Sequence, residues 1–324
     1  MSFEPRTPRS ESDAIEKAAL ELERVLPGKA LRDHSLAPYT SFRVGGPAAL
    51  FVEAYDESEL EKVGVAVRGD LPILVLGRGT NVLVGDGGFH GVVIRTGRGF
   101  EWIRAVGEEQ VEAGGAVALP MIANWAAKRS LSGMEFAVAI PATVGGAVRM
   151  NAGAHGSSIS EVLERALVYR INQNAWLELS ASDLGMTYRH TSLNAGDVVC
   201  SALFTLRQGS RSDILGRMDK HRKHRTLTQP SDAPNAGSMF KNPQGGAAGV
   251  LIERAGLKGY RVGGAEVSSK HANFFLARPG ALAQDVYDLM AHVQSEVWDR
   301  FGVMLMPEVR MIGSFDERLE LKTG

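Results

Sequence analysis

Residues 133–156 read GMEFAVAIPATVGGAVRMNAGAHG, and the interpretation of the rest of the chain depends on this stretch. It contains five glycines and six alanines but only three ionisable side chains. Glycine lets a ligand approach the main chain closely, and successive backbone N–H groups can form an anion-binding concavity. The stretch is therefore typical either of a backbone cradle for a phosphate or pyrophosphate or of a tightly packed turn in a buried core.

A second glycine-rich loop, GRGTN (77–81), follows a predicted strand at 72–76. A glycine turn at the carboxyl end of a strand is a usual place for phosphate binding. Gly77 and Gly79 fit the dinucleotide-binding fingerprint, but Val82 stands where its third glycine belongs. Because the chain also has no P-loop pattern, a dinucleotide site here would belong to a fold other than the Rossmann and P-loop folds.

The run IPATVGGAVRMNAGAHG resembles the flavin-binding segment of the bacterial UDP-N-acetylenolpyruvoylglucosamine reductases, a family with a PCMH-type FAD domain. The resemblance continues in order from about Thr40 to Gly313. It implies an α+β fold, with a PCMH-type FAD-binding domain of two α/β lobes and a C-terminal α+β substrate domain. It also implies non-covalent FAD, whose pyrophosphate lies between the two glycine loops. The implied cofactor-binding residues are Gly77, Arg78, Gly79, Thr80, Asn81, Pro141, Thr143, Gly145, Gly146, Asn151 and Gly153.

Three further motifs resemble the family and lie far apart in the sequence. They are YRHTS with Arg189, AGSMFKNP with Ser238 and PEVR with Glu308. A lone Arg, Ser or Glu is usually a surface residue, so only the resemblance makes these three candidate catalytic residues. Met239 stands where the family usually has phenylalanine, and Met306 where it commonly has glutamate. Both departures flank the candidates and leave them intact.

The resemblance implies the reduction of a UDP-linked enolpyruvyl amino sugar by NADPH, a step of peptidoglycan precursor synthesis. Hydride adds to the beta carbon of the enol ether, and negative charge builds up on the alpha carbon and the carboxylate. Arg189 would stabilise that charge. Glu308 would share a hydrogen bond with the carboxylate, and Ser238 would protonate the alpha carbon. The implied substrate-binding residues are Lys241, Asn242 and Arg225.

The composition is that of an ordinary globular protein of roughly two domains. Hydrophobic residues make up 44% of the 324 residues, and a net charge of -1 gives no reason to expect nucleic acid as a partner. The single cysteine, Cys200, cannot form an intrachain disulfide, which fits a reducing compartment. Because neither a secretory signal nor a transmembrane run is recognisable, we expect a cytoplasmic protein without membrane insertion. We also expect a monomer that binds no metal.

The predicted domain boundary lies in the polar segment 208–212, and residues 1–12 are expected to be disordered. The predicted parts are an N-terminal tail and helix (1–34), the FAD-binding domain (35–209), the substrate-binding domain (213–313) and a tail (314–324). Helices are predicted at 13–26, 57–68, 120–129, 246–256 and 283–301, and from Ser212 through Arg225. Strands are predicted at 49–54, 72–76, 92–96, 109–115, 166–170, 176–180, 198–207, 272–277 and 302–313.

Two local features and the function leave alternatives open. The basic stretch 217–225 can be a solvated helix face or a surface for substrate or NADPH phosphates. His271 can be a packed histidine, the interpretation we favour, or a functional one. The main rival function is a flavin-dependent oxidase of the same fold class, which would reoxidise rapidly in air. The second rival, a flavin- or nucleotide-binding module without catalysis, would bind ligand but oxidise no NADPH.

Overall fold

The computed structural model describes residues 8–67, 71–316 and 321–323. They form two compact units, each assembled from separate stretches of the chain. Among the described residues, the first unit is drawn from 8–34, 48–77 and 90–222, and the second from 35–47, 78–89 and 223–323. Neither unit is therefore a single contiguous stretch of the sequence.

Helices and strands alternate along the described residues, and none of these helices is long and apolar enough to cross a membrane. The helices are α1 (Pro8–Val25), α2 (Glu57–Ala66), α3 (Leu119–Lys128), α4 (Val144–Arg149), α5 (Arg211–Thr228), α6 (Ala248–Arg254) and α7 (Ala283–Phe301). The strands are β1 (Ala30–Ser35), β2 (Pro47–Ala54), β3 (Ile73–Val75), β4 (Val82–Val84), β5 (Phe89–Thr96), β6 (Ile103–Ala105), β7 (Gln110–Gly114), β8 (Leu131–Ser132), β9 (Gly153–Ala154), β10 (Ser157–Ser158), β11 (Leu163–Arg170), β12 (Ala175–Ser180), β13 (Asp197–Thr205), β14 (Arg207–Gln208), β15 (Arg261–Val262), β16 (Ala265–Val267), β17 (Phe275–Ala277) and β18 (Arg310–Ile312).

The first lobe of the first unit contains a four-stranded sheet in the order β1-β2-β5-β3, in which β3 and β5 run parallel. The predicted strand–helix–strand unit is present as β2, α2 and β3, with β5 inserted between the two strands. Helix α2 begins at Asp56, whose carboxylate accepts a hydrogen bond from the Glu59 N–H at 2.9 Å, as an N-cap does. Leu22 of α1, Leu50 of β2 and Leu60 of α2 are fully buried in the core of this lobe.

The second lobe of the first unit contains a five-stranded antiparallel sheet in the order β12-β11-β13-β7-β6. Strand β13 lies at the centre, where eight of its nine residues are buried: seven are apolar or small, and the eighth, Asp197, is paired with Arg170. Its Phe204 packs with Leu119 of α3 and Val144 of α4 in the core. Cys200 is a buried free cysteine, and burial raises the pKa of its thiol. It is therefore a packing residue here and not a nucleophile.

The second unit contains α6, α7, an antiparallel sheet in the order β15-β16-β17, and a parallel pair of β4 and β18. In that pair Arg310 lies opposite Val82 and Ile312 opposite Val84. This pairing brings residues 78–89 into a unit otherwise built mainly from the C-terminal third of the chain. Contiguous boundaries could not anticipate it, because strands so far apart in sequence share no local pattern.

Most predicted elements are present, whereas α4, β1, β4 and other short elements were not predicted. Two predictions differ clearly from the structure. Helix α1 already begins at Pro8, so residues 8–12 are helical and not disordered, while residues 1–7 lie outside the described part of the chain. The strand predicted over 302–313 is reduced to Arg310–Ile312, because only this part finds a neighbouring strand. One face of α7 carries an apolar stripe that is buried from Val286 to Val297, and Phe301 at the end of the helix is 38% exposed.

Candidate functional site

Helix α4 occupies the middle of the glycine-rich stretch 133–156. It begins after Thr143, whose Oγ1 accepts a hydrogen bond from the Gly146 N–H at 3.2 Å. The N–H groups of Val144 and Gly145 donate to main-chain carbonyls of an earlier segment, both at 2.9 Å. All three N–H groups are thus bonded within the protein. At these three positions the run is a packed turn, as one of the two interpretations expects.

A pocket in the first unit nevertheless brings parts of both glycine loops together. It is lined by Gly77 after β3, by the first turn of α4 and by the start of β13. A Cβ atom built on Gly77 would lie 2.7 Å from Thr143 Oγ1, closer than a real side chain can come. The lining residues are Val75, Leu76, Gly77, Thr96, Gly115, Thr143, Gly145, Gly146, Arg149, Asp197, Val198 and Val199.

The lining of this pocket suits the phosphate-bearing part of a dinucleotide such as FAD. Its glycines let a ligand approach the main chain closely. The hydroxyl of Thr143 and the guanidinium of Arg149 add polar groups suited to a diphosphate. Of the predicted cofactor residues, Gly77, Thr143, Gly145 and Gly146 lie in this pocket.

Arg149, the last residue of α4, is fixed in the pocket wall by main-chain carbonyls. Its Nη2 donates to the carbonyl oxygens of Asn194 at 2.9 Å and of Asp197 at 2.5 Å. The buried Asp197 carboxylate accepts two hydrogen bonds from Arg170, at 2.8 and 2.9 Å. The start of β13 is thereby held against α4, so the pocket wall is built from a connected polar network.

Arg189, the candidate charge-stabilising residue, lies in a tight turn of the first unit. Its φ of 57° is in the left-handed region, which is uncommon for a residue other than glycine. The turn is closed by pairing between Thr187 and His190. Arg189 Nη2 donates to the Gly153 carbonyl at 3.0 Å, and its guanidinium lies 4.9 Å from the Tyr188 ring. The structure thus places Arg189 beside Gly153, a predicted cofactor residue.

Asn151, another predicted cofactor residue, uses its side chain inside the protein. The buried carboxamide donates to the Thr187 carbonyl at 3.0 Å and accepts from the Ser160 N–H at 3.0 Å. It therefore holds the turn that carries Arg189. Pro141, by contrast, is exposed and precedes Thr143, the N-cap of α4, by two residues.

The remaining residues of the GRGTN loop, Arg78 to Asn81, belong to the second unit. Gly79 has a φ of 59°, and a Cβ atom built there would lie 2.1 Å from the Tyr39 carbonyl oxygen. Only glycine fits at this position. Asn81 Nδ2 donates to the Glu308 carbonyl at 3.1 Å, which ties the loop to the PEVR motif. Arg78 is exposed and Thr80 is half-buried.

Ser238 and Glu308 lie on neighbouring extended segments of the second unit. The Glu308 N–H donates to the Met239 carbonyl, and the Lys241 N–H donates to the Met306 carbonyl, both at 2.8 Å. Ser238 and Glu308 are both half-buried. The structure therefore brings together two of the three candidate catalytic motifs through a main-chain ladder.

The three predicted substrate-binding residues also lie in the second unit and differ in their surroundings. Asn242 Oδ1 accepts from the Ala248 N–H at 3.1 Å, so it caps the start of α6. Lys241 and Arg225 are half-buried. Burial lowers the pKa of the Arg225 guanidinium below its ordinary value.

The basic stretch 217–225 of α5 is neither wholly a solvated helix face nor wholly a ligand surface, because three of its residues contact other elements of the first unit. Arg217 forms a salt bridge with the buried Glu135 at 2.6 Å, and Arg222 donates to the Asn124 side chain at 2.8 Å. The ring of His221 stacks on that of His155, with centroids 4.0 Å apart. These three basic residues therefore attach α5 to the rest of the first unit.

Sequence reasoning missed three residues that shape these regions. Gly115 and Arg149 line the pocket, and Asn273 bonds to the segment beside Ser238. A glycine doublet at the end of β7 and a polar residue within the apolar run ANFF were the available signals. His271 is half-buried and packs edge-on against Phe274 at 4.7 Å, as the favoured interpretation expects.

Comparison with known proteins finds matches over most of the chain. Residues 229–312 match the family model described as UDP-N-acetylenolpyruvoylglucosamine reductase, C-terminal domain, and residues 48–169 match the FAD binding domain model. The UDP-N-acetylenolpyruvoylglucosamine reductase 2 of Symbiobacterium thermophilum is 44% identical over 89% of this chain and 93% of its own. The Bacillus subtilis UDP-N-acetylenolpyruvoylglucosamine reductase is 38% identical over 92% of this chain and 99% of its own.

A solved structure agrees with these sequence matches. The crystal structure of the UDP-N-acetylenolpyruvylglucosamine reductase from Thermus caldophilus superposes with a TM-score of 0.75 at 33% identity. It covers 88% of this chain and 98% of its own. The α+β fold with an FAD-binding domain, expected from the resemblance, is confirmed. The chain belongs to the UDP-N-acetylenolpyruvoylglucosamine reductase family.

Proposed function

We propose that this chain catalyses the reduction of UDP-N-acetylenolpyruvoylglucosamine to UDP-N-acetylmuramate by NADPH, a step of peptidoglycan precursor synthesis. The observation that carries the proposal is the joining of the Ser238 and Glu308 motifs by a main-chain ladder, in a chain that belongs to this reductase family. It is an NADPH-dependent flavoprotein oxidoreductase, and FAD is its cofactor.

The pocket of the first unit is the proposed site for the FAD diphosphate. Gly77, Thr143, Gly145 and Gly146 would hold it, because their small or hydroxylated side chains leave the main chain accessible. When bound, FAD supplies hydride transfer between NADPH and the enol ether. Arg149, which the sequence did not suggest, would place a cation in the same wall.

The three candidate catalytic residues have distinct proposed roles at the enolpyruvyl group. Arg189 binds the substrate carboxylate and stabilises the negative charge that grows there as hydride reaches the beta carbon. Glu308 orients the same carboxylate through a hydrogen bond. Ser238 Oγ donates its proton to the alpha carbon, so one hydride and one proton saturate the double bond. A hydroxyl suffices because an enolate-like carbanion is strongly basic and the donor is held in place.

The UDP part of the substrate needs separate contacts. Lys241 and Arg225 are proposed to bind its diphosphate, because cations pair with phosphate oxygens. Asn242 would contact the diphosphate with its side-chain N–H groups, because its Oδ1 already caps α6. We further propose that 35–209 and 213–313 delimit the FAD-binding and substrate-binding domains, and that the protein acts as a cytoplasmic monomer.

The first experiment tests the reaction and both rival functions. The purified protein should show the absorption spectrum of a flavoprotein and release FAD on mild denaturation. With the enolpyruvyl substrate it should oxidise one NADPH per product formed, under anaerobic conditions. Rapid consumption of oxygen with NADPH alone would favour the oxidase. Bound FAD without any substrate-dependent NADPH oxidation would favour the non-catalytic module.

The second experiment tests the role of Ser238 by stopped-flow absorbance of the two half-reactions. Ser238→Ala should leave flavin reduction by NADPH nearly unchanged, because that step transfers no proton to the alpha carbon. Reoxidation by the enolpyruvyl substrate should slow about 10²–10⁴-fold, as for other lost acid–base groups. Ser238→Cys, which can still donate a proton, should retain more activity than Ser238→Ala.

Ser295→Ala serves as the control, because Ser295 is a serine of α7 in the same unit that bonds only weakly to Asp299, at 3.4 Å. Both of its half-reactions should run at the wild-type rate. Equal slowing of both half-reactions in Ser238→Ala would make Ser238 a structural residue. Unimpaired reoxidation would assign the proton to another group.

A further inference from the structure

The segment Ser238–Lys241 lies between two other segments of the second unit. On one side, Met239 and Lys241 form main-chain hydrogen bonds with residues 306–308. Along an extended strand, successive residues direct their N–H and carbonyl groups to opposite sides. Phe240 presents both of its main-chain groups to the other side, where Asn273 lies, and the Met239 N–H also points there because the segment is not a regular strand at Met239.

Asn273 meets this segment with its side chain as well as its main chain. Its Nδ2 donates to the Phe240 carbonyl at 2.8 Å, and its Oδ1 accepts from the Phe240 N–H at 3.0 Å. Its own carbonyl accepts from the Met239 N–H at 2.8 Å. The Asn273 carboxamide thus takes the place of a neighbouring strand for Phe240. Phe240 is fully buried, and its main chain would otherwise lack partners within this ladder.

Asn273 is itself held in position by the turn that precedes it. Its N–H donates to His271 Nδ1 at 3.2 Å, and Ser268 Oγ accepts from the N–H groups of Lys270 and His271 at 3.2 and 3.4 Å. Asn273 is only 3% exposed. A buried amide whose nitrogen and oxygen both bond to the same main-chain residue is a rigid element and not an adaptable one.

We propose that Asn273 is the positioning residue for Ser238, acting through the main chain of Met239 and Phe240. The inference rests on the proposed function, because the role of Ser238 as proton donor belongs to it. Asn273 touches neither substrate nor cofactor in this proposal. It fixes the two residues that follow Ser238, and so sets where the hydroxyl lies relative to the alpha carbon.

The test is Asn273→Asp, which preserves the size and one acceptor but removes the donor to the Phe240 carbonyl. Reoxidation of the flavin by the enolpyruvyl substrate should slow about 10- to 100-fold, the range expected for a displacement near 1 Å. Flavin content and reduction by NADPH should stay close to wild type. The slow step should accelerate as the pH is lowered, because a protonated carboxyl group again donates a hydrogen bond.

The chain offers a matched control in Gln294, another buried amide of the same unit. Its side chain accepts from the Lys322 N–H and donates to the Lys322 carbonyl, both at 2.8 Å, as Asn273 does with Phe240. Gln294 Nε2 also donates to the Leu305 carbonyl at 2.7 Å, so Gln294→Glu makes the same amide-to-acid change at an amide that does not bond to Ser238–Lys241 itself. Its half-reactions should run at wild-type rates. Equal losses in both variants would mean that Asn273 acts through general stability.

A double variant separates positioning from an independent effect. Ser238→Ala combined with Asn273→Asp should be no slower in reoxidation than Ser238→Ala alone, because Asn273 acts only through Ser238. If the two effects multiply, the proposal is wrong. If Asn273→Asp does not fold, Asn273→Ser, which keeps one hydrogen bond, carries the same expectations with a smaller loss.

The outcomes also distinguish this inference from the proposed function. A wild-type protein that oxidises no NADPH with the enolpyruvyl substrate would remove the function, and the inference with it. A wild-type enzyme in which Ser238→Ala is slow in reoxidation but Asn273→Asp is not would remove only the inference.

Discussion

Gly146 lines the pocket of the first unit with main chain alone, and its importance at the residue scale comes from the side chain that it lacks. A Cβ atom built there meets only Thr143 Oγ1, at an ordinary 3.4 Å, and the backbone is not in the left-handed region. Gly145 is tighter, since its Cβ would lie 3.2 Å from two carbonyl oxygens. Gly146 is therefore the position where added volume affects the ligand and not the fold.

We expect Gly146→Val to fold normally and to lose FAD. The valine methyl groups would fill space that the proposed diphosphate needs, so affinity should fall at least about tenfold, which corresponds to about 1.4 kcal/mol. The flavin content of the purified protein and a fluorescence titration with FAD measure this. Gly216→Val, at a helical glycine with open space around it, is the control and should keep its flavin. Normal flavin content in Gly146→Val would place the cofactor elsewhere.

At the scale of elements, the loops on either side of β4 hold the longest helix of the second unit and its PEVR motif. Asp86, next to β4, accepts hydrogen bonds from the N–H groups of Ala283 and Gln284 at 3.1 and 2.9 Å. Asn81 holds the Glu308 carbonyl from the other end of β4. The short strand thus connects the start of α7 and the PEVR motif, which explains why residues 78–89 cluster with this unit.

The helix cap supplied by Asp86 gives a stability prediction. Asp86→Ala leaves two N–H groups of the first turn of α7 without this acceptor. The free energy of unfolding should fall by about 1–2 kcal/mol, as for other lost helix caps. Urea unfolding, with hydrogen exchange of α7 as the local measurement, checks it. Asp86→Asn keeps an acceptor and should recover most of the loss, and an unchanged exchange rate in α7 for Asp86→Ala would contradict the assignment.

At the scale of the whole molecule, we expect one ionic cluster of the second unit to contribute to the loss of fold stability at acid pH. Arg278 donates to Glu266 at 3.1 Å and to Asp232 at 2.8 Å, and these hydrogen bonds lower the pKa of both carboxyl groups. Since both pKa values are lower in the folded protein, the cluster stabilises the fold above about pH 4, where the unfolded carboxyl groups are ionised. That stabilisation is lost as the pH falls through the lower, folded pKa values.

Arg278→Met should therefore lower the urea midpoint at pH 7, and the difference from wild type should shrink as the pH is lowered below about 4. The buried Glu266 would keep its bond to Arg261, so the variant should still fold. Arg24→Met, which breaks an exposed pair with Glu21 on α1, is the control and should change the midpoint little. A difference that stays constant from pH 7 to pH 3 would show that Arg278 acts through packing alone.

The sequence by itself determined the family, the cofactor class and most helices and strands of this protein. These properties are recorded in local patterns, each of which lies within a single segment of the chain. Examples are the glycine-rich stretch 133–156, the apolar run of β13 and the apolar stripe of α7. The motifs around Arg189, Ser238 and Glu308 are equally local, so a resemblance could identify them without any knowledge of their contacts.

Only the tertiary structure decided which distant groups meet. It showed that the N–H groups at the start of α4 are already bonded, that Asn151 and Asn81 use their amides to hold other motifs, and that Asn273 completes the ladder beside Ser238. A polar side chain can bond to solvent, ligand or main chain with similar geometry. The choice depends on which segment the fold brings within about 3 Å, and no spacing in the sequence records it.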